Sequence, residues 1–209
     1  MKSRVAIVDD HMLLADACRK LLEPDYDVVG TYSDPRAFLL DFPQLRVDVV
    51  ILDITMPLLN GLDTARELRK LNPGLHIIIL TMSEDPEIAA EAFRAGASGY
   101  VLKRCAGAEL TIAVREVMQQ RYYVTPLLTK GLVGAFVHDP TFRKPIYQLT
   151  QRQREVLQLL AEGRSMKEAG SILNVSARTV AFHKYRMMQQ LHVTSTAALI
   201  QLAVREGLI

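Results

Sequence analysis

Through the first 120 residues, short apolar runs alternate with stretches of helical spacing. Val5–Val8, Val28–Tyr32, Val47–Leu52, Ile77–Leu80 and Gly99–Leu102 read as five strands. Between and after them, Leu13–Leu22, Arg36–Phe42, Gly61–Leu71, Glu87–Ala95 and Gly107–Gln119 carry apolar residues three and four apart, among helix-favouring Ala, Leu, Glu and Arg. This alternation predicts an α/β, doubly wound, five-stranded parallel sheet covered on both faces. In one common strand order for such sheets, strands 1 and 3 are neighbours, and ligands bind beyond the carboxyl ends of the strands where the winding reverses. Chemistry-bearing residues should therefore collect at strand ends.

The alternation stops after residue 120. Residues 121–145 include Pro126, Gly131, Gly134, Pro140 and Pro145 and read as a linker, within which Leu127–Phe136 has the spacing of a helix. Residues 146–209 then show a small all-α pattern with clear start signals. Thr150 followed by Gln153, and Ser165 followed by Glu168, each match a capping box, in which two side chains satisfy exposed backbone amides reciprocally. The first helix carries Val156, Leu157, Leu159 and Leu160 and ends at Gly163. The second runs through Ala169–Leu173 to a turn at Asn174–Val175, Ser176 caps a third over Ala177–Leu191, and a fourth spans Thr196–Arg205.

Composition changes the picture mainly by dividing it. The chain has 209 residues and a formal net charge of +2, but residues 143–209 hold ten Lys and Arg against four Asp and Glu, leaving 15 against 19 in the remainder. A basic C-terminal third suggests a polyanionic partner, although a solvated basic face would look similar. The longest apolar runs fall far short of the roughly 18 residues of a membrane span, and Lys2-Ser3-Arg4 leads directly into a strand rather than a secretory segment, so a cytoplasmic protein without a membrane partner is expected. Cys18 and Cys105 are far apart, with no CxxC or Cys/His cluster, and read as reduced thiols.

Asp9 and Asp10 close the first strand and Asp53 the third, so the topology brings three carboxylates to one sheet edge. Such a cluster repels itself unless a cation intervenes, and an all-oxygen site suits Mg²⁺. Taken alone, the aspartate pair could equally cap a helix. Thr81 ends the fourth strand and Lys103 follows the fifth, adding a hydroxyl and an ammonium at the same edge. With Asp9-Asp10-His11, Asp53-Ile54-Thr55-Met56-Pro57-Leu58-Leu59-Asn60-Gly61, Leu80-Thr81 and Gly96-Ala97-Ser98-Gly99-Tyr100-Val101-Leu102-Lys103 in place, the first 120 residues closely resemble the flavodoxin-like receiver domain of two-component response regulators. The resemblance implies that Asp53 is the phospho-acceptor and that Asp9, Asp10, Asp53 and the carbonyl of Thr55 serve Mg²⁺. It also implies that Lys103 supplies a cation and that Thr81 and Tyr100 form the switch. Met82 is bulkier than the small residue many receivers carry there, and is expected to restrict access to the acyl phosphate or slow its hydrolysis.

The helical segment could be an ordinary small bundle. However, Leu149-Thr150, Arg152, Arg154-Glu155-Val156-Leu157, Leu159-Leu160-Ala161, Gly163, Ser165, Lys167-Glu168, Ser176, Thr179-Val180 and His183 resemble the LuxR-type helix-turn-helix domain of the NarL/FixJ response regulators. That resemblance makes the helix over Ala177–Leu191 the one that enters the major groove of double-stranded DNA. Its exposed surface is expected to include Arg178, Ala181, Phe182, Lys184, Tyr185 and Arg186, with Val180, Met187 and Leu191 buried. The resemblance adds Lys167 and Thr179 to the expected DNA-contact set, and His183 as a structural or backbone-contacting residue. Ala181, Phe182 and Tyr185 stand where relatives touch bases, which suggests contact with thymine methyls rather than bidentate Arg–guanine pairs. Gln153, Met166, Ala169-Gly170 and His192 depart from the usual pattern, and Gly170 implies either a less firm helix or an unusually close neighbour.

The whole is expected to be a non-enzyme transcription regulator. A sensor histidine kinase or small phosphodonor would phosphorylate Asp53, and the altered receiver would dimerise or free the DNA-binding domain. The helix over Thr196–Arg205 resembles the segment through which LuxR-type domains pair two copies, and ordinary packing of that helix on its own domain is an equally open reading. A signalling adaptor with a protein-docking helical domain, and a regulator that works unphosphorylated, are the competing readings.

Overall fold

The computed structural model describes residues 2–138 and 145–209, and the chain divides into two compact units, the first ending after the helix at Pro126–His138 and the second beginning ahead of a short 3-10 turn at Pro145–Gln148. In the first unit, β1 (Arg4–Val8), β2 (Asp27–Tyr32), β3 (Val49–Leu52), β4 (His76–Thr81), β5 (Gly99–Leu102) and β6 (Tyr123–Val124) form one parallel sheet in the order β2-β1-β3-β4-β5-β6. The helices are α1 (Met12–Leu22), α2 (Pro35–Asp41), α3 (Gly61–Leu71), α4 (Pro86–Arg94), α5 (Ala106–Met118) and α6 (Pro126–His138).

The five anticipated strands and five helices are present, with ends shifted by at most two residues, and a sixth strand extends the sheet. Two residues are too few to show a period-two pattern. What makes Tyr123–Val124 a strand is its partner, because the Tyr123 amide donates to the Ser98 carbonyl at 3.1 Å and the Thr125 amide to that of Tyr100 at 2.9 Å. The segment read as a linker thus contributes both β6 and α6 to the first unit.

Because β1, β3 and β4 are buried on both faces, they read as continuous Val and Ile runs. Val5, Ile7, Val49, Ile51, Ile78, Leu80 and Val101 meet Ala15, Cys18 and Leu22 of α1 and Leu110, Ala113, Val114 and Val117 of α5. The alternate residues Ala6, Val8, Val50, Leu52, Ile77, Ile79, Tyr100 and Leu102 form the opposite layer, where α2, α3 and α4 pack in turn. Burial pushes the Cys18 thiol up to about 11, so it is an inert core residue. Both cysteines are free, and no described helix is long and apolar enough to cross a membrane.

The second unit packs α7 (Gln151–Ala161), α8 (Met166–Ile172), α9 (Ala177–Gln190) and α10 (Thr196–Arg205) around Val156, Leu157, Leu159, Ala169, Val180, Met187, Leu199 and Ala203. Both capping boxes form, and Gln153 completes the first as a Glu would, its Oε1 accepting from the Thr150 amide at 2.7 Å. Ser176 caps α9 through the Thr179 amide, and Asn174 turns the chain with φ of 53°. Gly170 is explained by proximity. A Cβ there would lie 2.7 Å from the Val175 carbonyl oxygen, so its absence lets α8 close on the turn, where the Val175 amide donates to the Gly170 carbonyl at 2.9 Å.

Candidate functional site

The sheet topology builds an acidic pocket in the first unit. The chain leaves β1 for β2 on one side and returns to β3 on the other, so the winding reverses between β1 and β3. Val8 pairs with Leu52, and therefore Asp9 and Asp53, the next residues, emerge side by side. Thr81 pairs with Leu102, which puts Thr81 and Lys103 on the adjacent strand ends.

Asp9, Asp53 and Thr81 are all buried, at 1%, 3% and 2% exposure. Lys103 Nζ lies 2.9 Å from Asp9 Oδ2 and 2.9 Å from Asp53 Oδ2. Asp53 Oδ1 accepts from the Ile54 amide at 2.8 Å, and Asp9 Oδ1 from the His11 amide at 2.9 Å. Asp10 is half-buried and meets His11 Nδ1 at 3.0 Å. Gly61, at the start of α3, closes the floor, since a Cβ would sit 1.9 Å from the Asp53 carbonyl oxygen and no larger residue fits.

Burial raises the Asp53 carboxyl above its ordinary range, against the opposing pull of Lys103. Burial also pulls Lys103 down, but its hydrogen bonds to Asp53 and Asp9 outweigh this and hold the ammonium above its usual value. The Lys103 ammonium thus pairs with two of the pocket's three carboxylates. Oxygen atoms of Asp9, Asp10 and Asp53, with a ring nitrogen of His11, all lie within 4.8 Å of one another. Asp9 Oδ2 is buried against the Lys103 ammonium at 2.9 Å, and the buried Asp10 Oδ1 lies 3.0 Å from His11 Nδ1. A hard-oxygen donor set with excess negative charge fits a metal ion.

Around the pocket, Thr81 Oγ1 accepts from the Ser83 amide at 3.2 Å, and the fully buried Tyr100 donates its hydroxyl to the Ser83 carbonyl at 2.9 Å. The β4–α4 loop therefore ties Thr81 to Tyr100 through one residue. Met82 points outward at 71% exposure, and Thr55 is exposed. Two neighbours were not singled out from sequence. His11 is one, and its position directly after the aspartate pair was the available signal. The other is Thr125, fully buried beside the end of β5, for which the sequence offered none.

In the second unit, α9 exposes Arg178, Phe182, Tyr185 and Arg186, while Ala181, His183 and Thr179 are half-buried and Lys167 on α8 is exposed. Arg186 lies 5.8 Å from the Phe182 ring centroid, and the Phe182 and His183 rings meet edge-on at 5.7 Å. Lys184 corrects the expectation of an exposed cation. It is buried at 7% exposure because it sits four residues from Val180 and three from Met187, on the helix face turned to the core. Its stem lies in that face with Nζ 4.5 Å over the Tyr185 ring. Leu191, expected in the core, is half-buried just past the helix end.

Comparisons with known proteins agree with both units. Residues 5–115 match the response regulator receiver domain, and residues 147–203 match the bacterial regulatory proteins of the luxR family. The transcriptional regulatory protein UhpA of Salmonella typhimurium is 34% identical over 93% of this chain and 94% of its own length. The oxygen regulatory protein NreC of Staphylococcus carnosus is 33% identical over 99% of both. Among solved structures, RcsB from Salmonella enterica serovar Typhimurium, bound to a promoter in the presence of a phosphomimetic, matches 96% of this chain and 97% of its own at 29% identity and a TM-score of 0.62. With a receiver domain joined to a luxR-type DNA-binding domain, this chain belongs to the NarL/FixJ family of two-component response regulators and is a DNA-binding transcription regulator, not an enzyme.

Proposed function

We propose that Asp53 accepts a phosphoryl group from a sensor histidine kinase or a small phosphodonor, and that this controls dimerisation and DNA binding. The observation that carries the reading is the pairing of Lys103 Nζ with both Asp9 and Asp53 at 2.9 Å. An Asp53 oxygen attacks phosphorus, forming an O–P bond as the bond to the donor's nitrogen or oxygen breaks and the leaving group takes a proton. Lys103 is placed to neutralise phosphoryl charge, which is the main way proteins assist this reaction. Asp9, Asp10, Asp53 and the Thr55 carbonyl would hold Mg²⁺, which when bound supplies further neutralisation of phosphoryl oxygens. Thr81 then reorients toward the new group, and the hydrogen bond of Tyr100 to the Ser83 carbonyl is the contact that such a shift would strain.

For the output, residues 146–209 act as the DNA-binding domain and residues 1–120 as the receiver, with 121–138 completing the receiver's sheet and packing. Arg178, Thr179, Ala181, Phe182, His183, Tyr185 and Arg186 of α9, with Lys167, would contact double-stranded DNA, while Lys184 would serve mainly in the core. A homodimer would read two half-sites about 10 base pairs apart. The test is incubation with Mg²⁺ and acetyl phosphate, followed by intact mass, sedimentation and a salt-dependent mobility shift. One added phosphoryl group that is lost in Asp53→Asn, together with a raised DNA affinity, is expected. Unchanged mass, or DNA binding identical in Asp53→Asn and wild type under phosphorylating conditions, would refute it.

A further inference from the structure

Lys103 works only if β5 ends in the right place, because its ammonium must reach two carboxylates at once. On one side β5 is held by β4 up to the pair Thr81–Leu102. On the other side the ladder with β6 stops at Tyr100–Val124, since Pro126 turns the chain into α6. The buried Leu102 amide, directly before Lys103, is therefore left without a backbone partner from β6.

The Thr125 side chain supplies that partner. Its Oγ1 accepts from the Leu102 amide at 3.1 Å and donates to Glu109 Oε2 on α5 at 2.6 Å. A carboxylate can only accept, so the Thr125 proton is committed to Glu109 and its lone pair to Leu102. The residue is fully buried, and its backbone is tied as well: its amide donates to the Tyr100 carbonyl at 2.9 Å, and its carbonyl accepts from Leu128 of α6 at 2.9 Å. One residue thus joins the strand that carries Tyr100 and leads into Lys103 to α5 and to the start of α6. At the far side of α6, Gly131 packs so tightly on Pro86, the first residue of α4, that a Cβ would come within 2.5 Å of the proline ring.

We propose that Thr125 is a positioning residue for Lys103, completing the β5 edge with its side chain and so making the phospho-acceptor pocket depend on a segment beyond the last receiver helix. The proposal rests on the role of Asp53 given above and deepens it. Thr125 touches no reacting atom and acts through the backbone at Leu102. Thr125→Val keeps the shape and removes both side-chain hydrogen bonds, whereas Thr125→Ser keeps them.

The test uses the full-length protein and has two readouts. Without Mg²⁺, hydrogen exchange at the Leu102 amide should accelerate by about ten-fold or more in Thr125→Val and return to the wild-type rate in Thr125→Ser, as expected for a lost buried partner. With Mg²⁺ and phosphoramidate, the phosphorylation rate should fall about ten-fold in Thr125→Val and recover in Thr125→Ser, while Mg²⁺ affinity stays within about two-fold, because the carboxylates themselves are untouched. Wild-type exchange and rate in Thr125→Val would overturn the proposal. So would equal losses in Thr125→Val and Thr125→Ser, or a rate loss matched by lost Mg²⁺ affinity, since each would make Thr125 merely structural. Absence of phosphorylation in the wild-type protein would instead strike the role of Asp53, which keeps the two failures distinguishable.

Discussion

The acidic pocket of the first unit and the exposed face of α9 in the second, which the proposed function sets to work on a phosphoryl group and on DNA phosphates, are built in opposite ways. In the pocket, charged groups are buried and paired, with Lys103 bonded to two aspartates and Asp53 held by a backbone amide. On α9, Phe182 and Tyr185 are 59% and 58% exposed, and Arg178 and Arg186 face solvent. A buried site depends on each member, because removing one leaves a desolvated partner behind. An exposed face spreads its interaction over many weak contacts, each screened by salt. The first should fail abruptly on substitution, and the second gradually.

The most severe break should come from Gly61→Ala, whose Cβ would collide with the Asp53 carbonyl. A loss of about 3 kcal/mol or more in the stability of the first unit is expected, read by denaturant titration. A cost near zero would mean that the pocket floor is not rigid. Lys103→Ala should come next, lowering the rate of phosphorylation by acetyl phosphate about 100-fold through the lost cation. A rate within about three-fold of wild type would remove Lys103 from the mechanism.

Gly170→Ala probes whether the second unit has a comparably tight joint. The clash with the Val175 carbonyl opposes the helix-propensity gain of about 1 kcal/mol, and a net destabilisation of about 1–2 kcal/mol is expected on thermal unfolding. Stabilisation would show that the turn relaxes freely. On the exposed face of α9, Arg178→Ala and Phe182→Ala should each cost about 1 kcal/mol in DNA affinity without altering the melting temperature. Arg178→Ala should also reduce the salt slope by about one, and Phe182→Ala should leave it unchanged. A collapse of binding from either substitution alone would erase the contrast with the pocket.

The smallest effect concerns His183, whose pKa is held below its ordinary value by burial and by Arg152. A depressed folded-state pKa gives stability that is present above the unfolded value of about 6.5 and is lost as pH falls through the folded value. The second unit should therefore melt slightly lower at pH 5.5 than at pH 7.5, and His183→Gln should reduce that difference. An unchanged pH dependence in His183→Gln would assign the effect elsewhere.

The pocket could be read from sequence because each of its residues directly follows or ends a strand whose apolar run marks it. Asp9, Asp53, Thr81 and Lys103 needed only the strand order to be brought together. The capping boxes were legible for a similar reason, being local along the chain, whereas at Gly170 the sequence left a less firm helix and a close neighbour both open and the structure decided for the neighbour. Lys184 was misplaced because a lysine in a basic helix looks exposed until the helix phase set by Val180 and Met187 is known.

Strand ends, helix starts and the residue types at them were set by local pattern, and these determined the receiver-like pocket and the helix-turn-helix. Only the tertiary structure decided the sixth strand, the burial of Lys184 and the place of Thr125. The sixth strand and Thr125 depend on partners distant in the chain, β5 for Tyr123–Val124 and the Leu102 amide with Glu109 for Thr125, whereas Lys184 depends on which face of its own helix packs against the core. Two residues of strand and one threonine carry no periodicity of their own, so their roles exist only once the sheet edge they complete has formed.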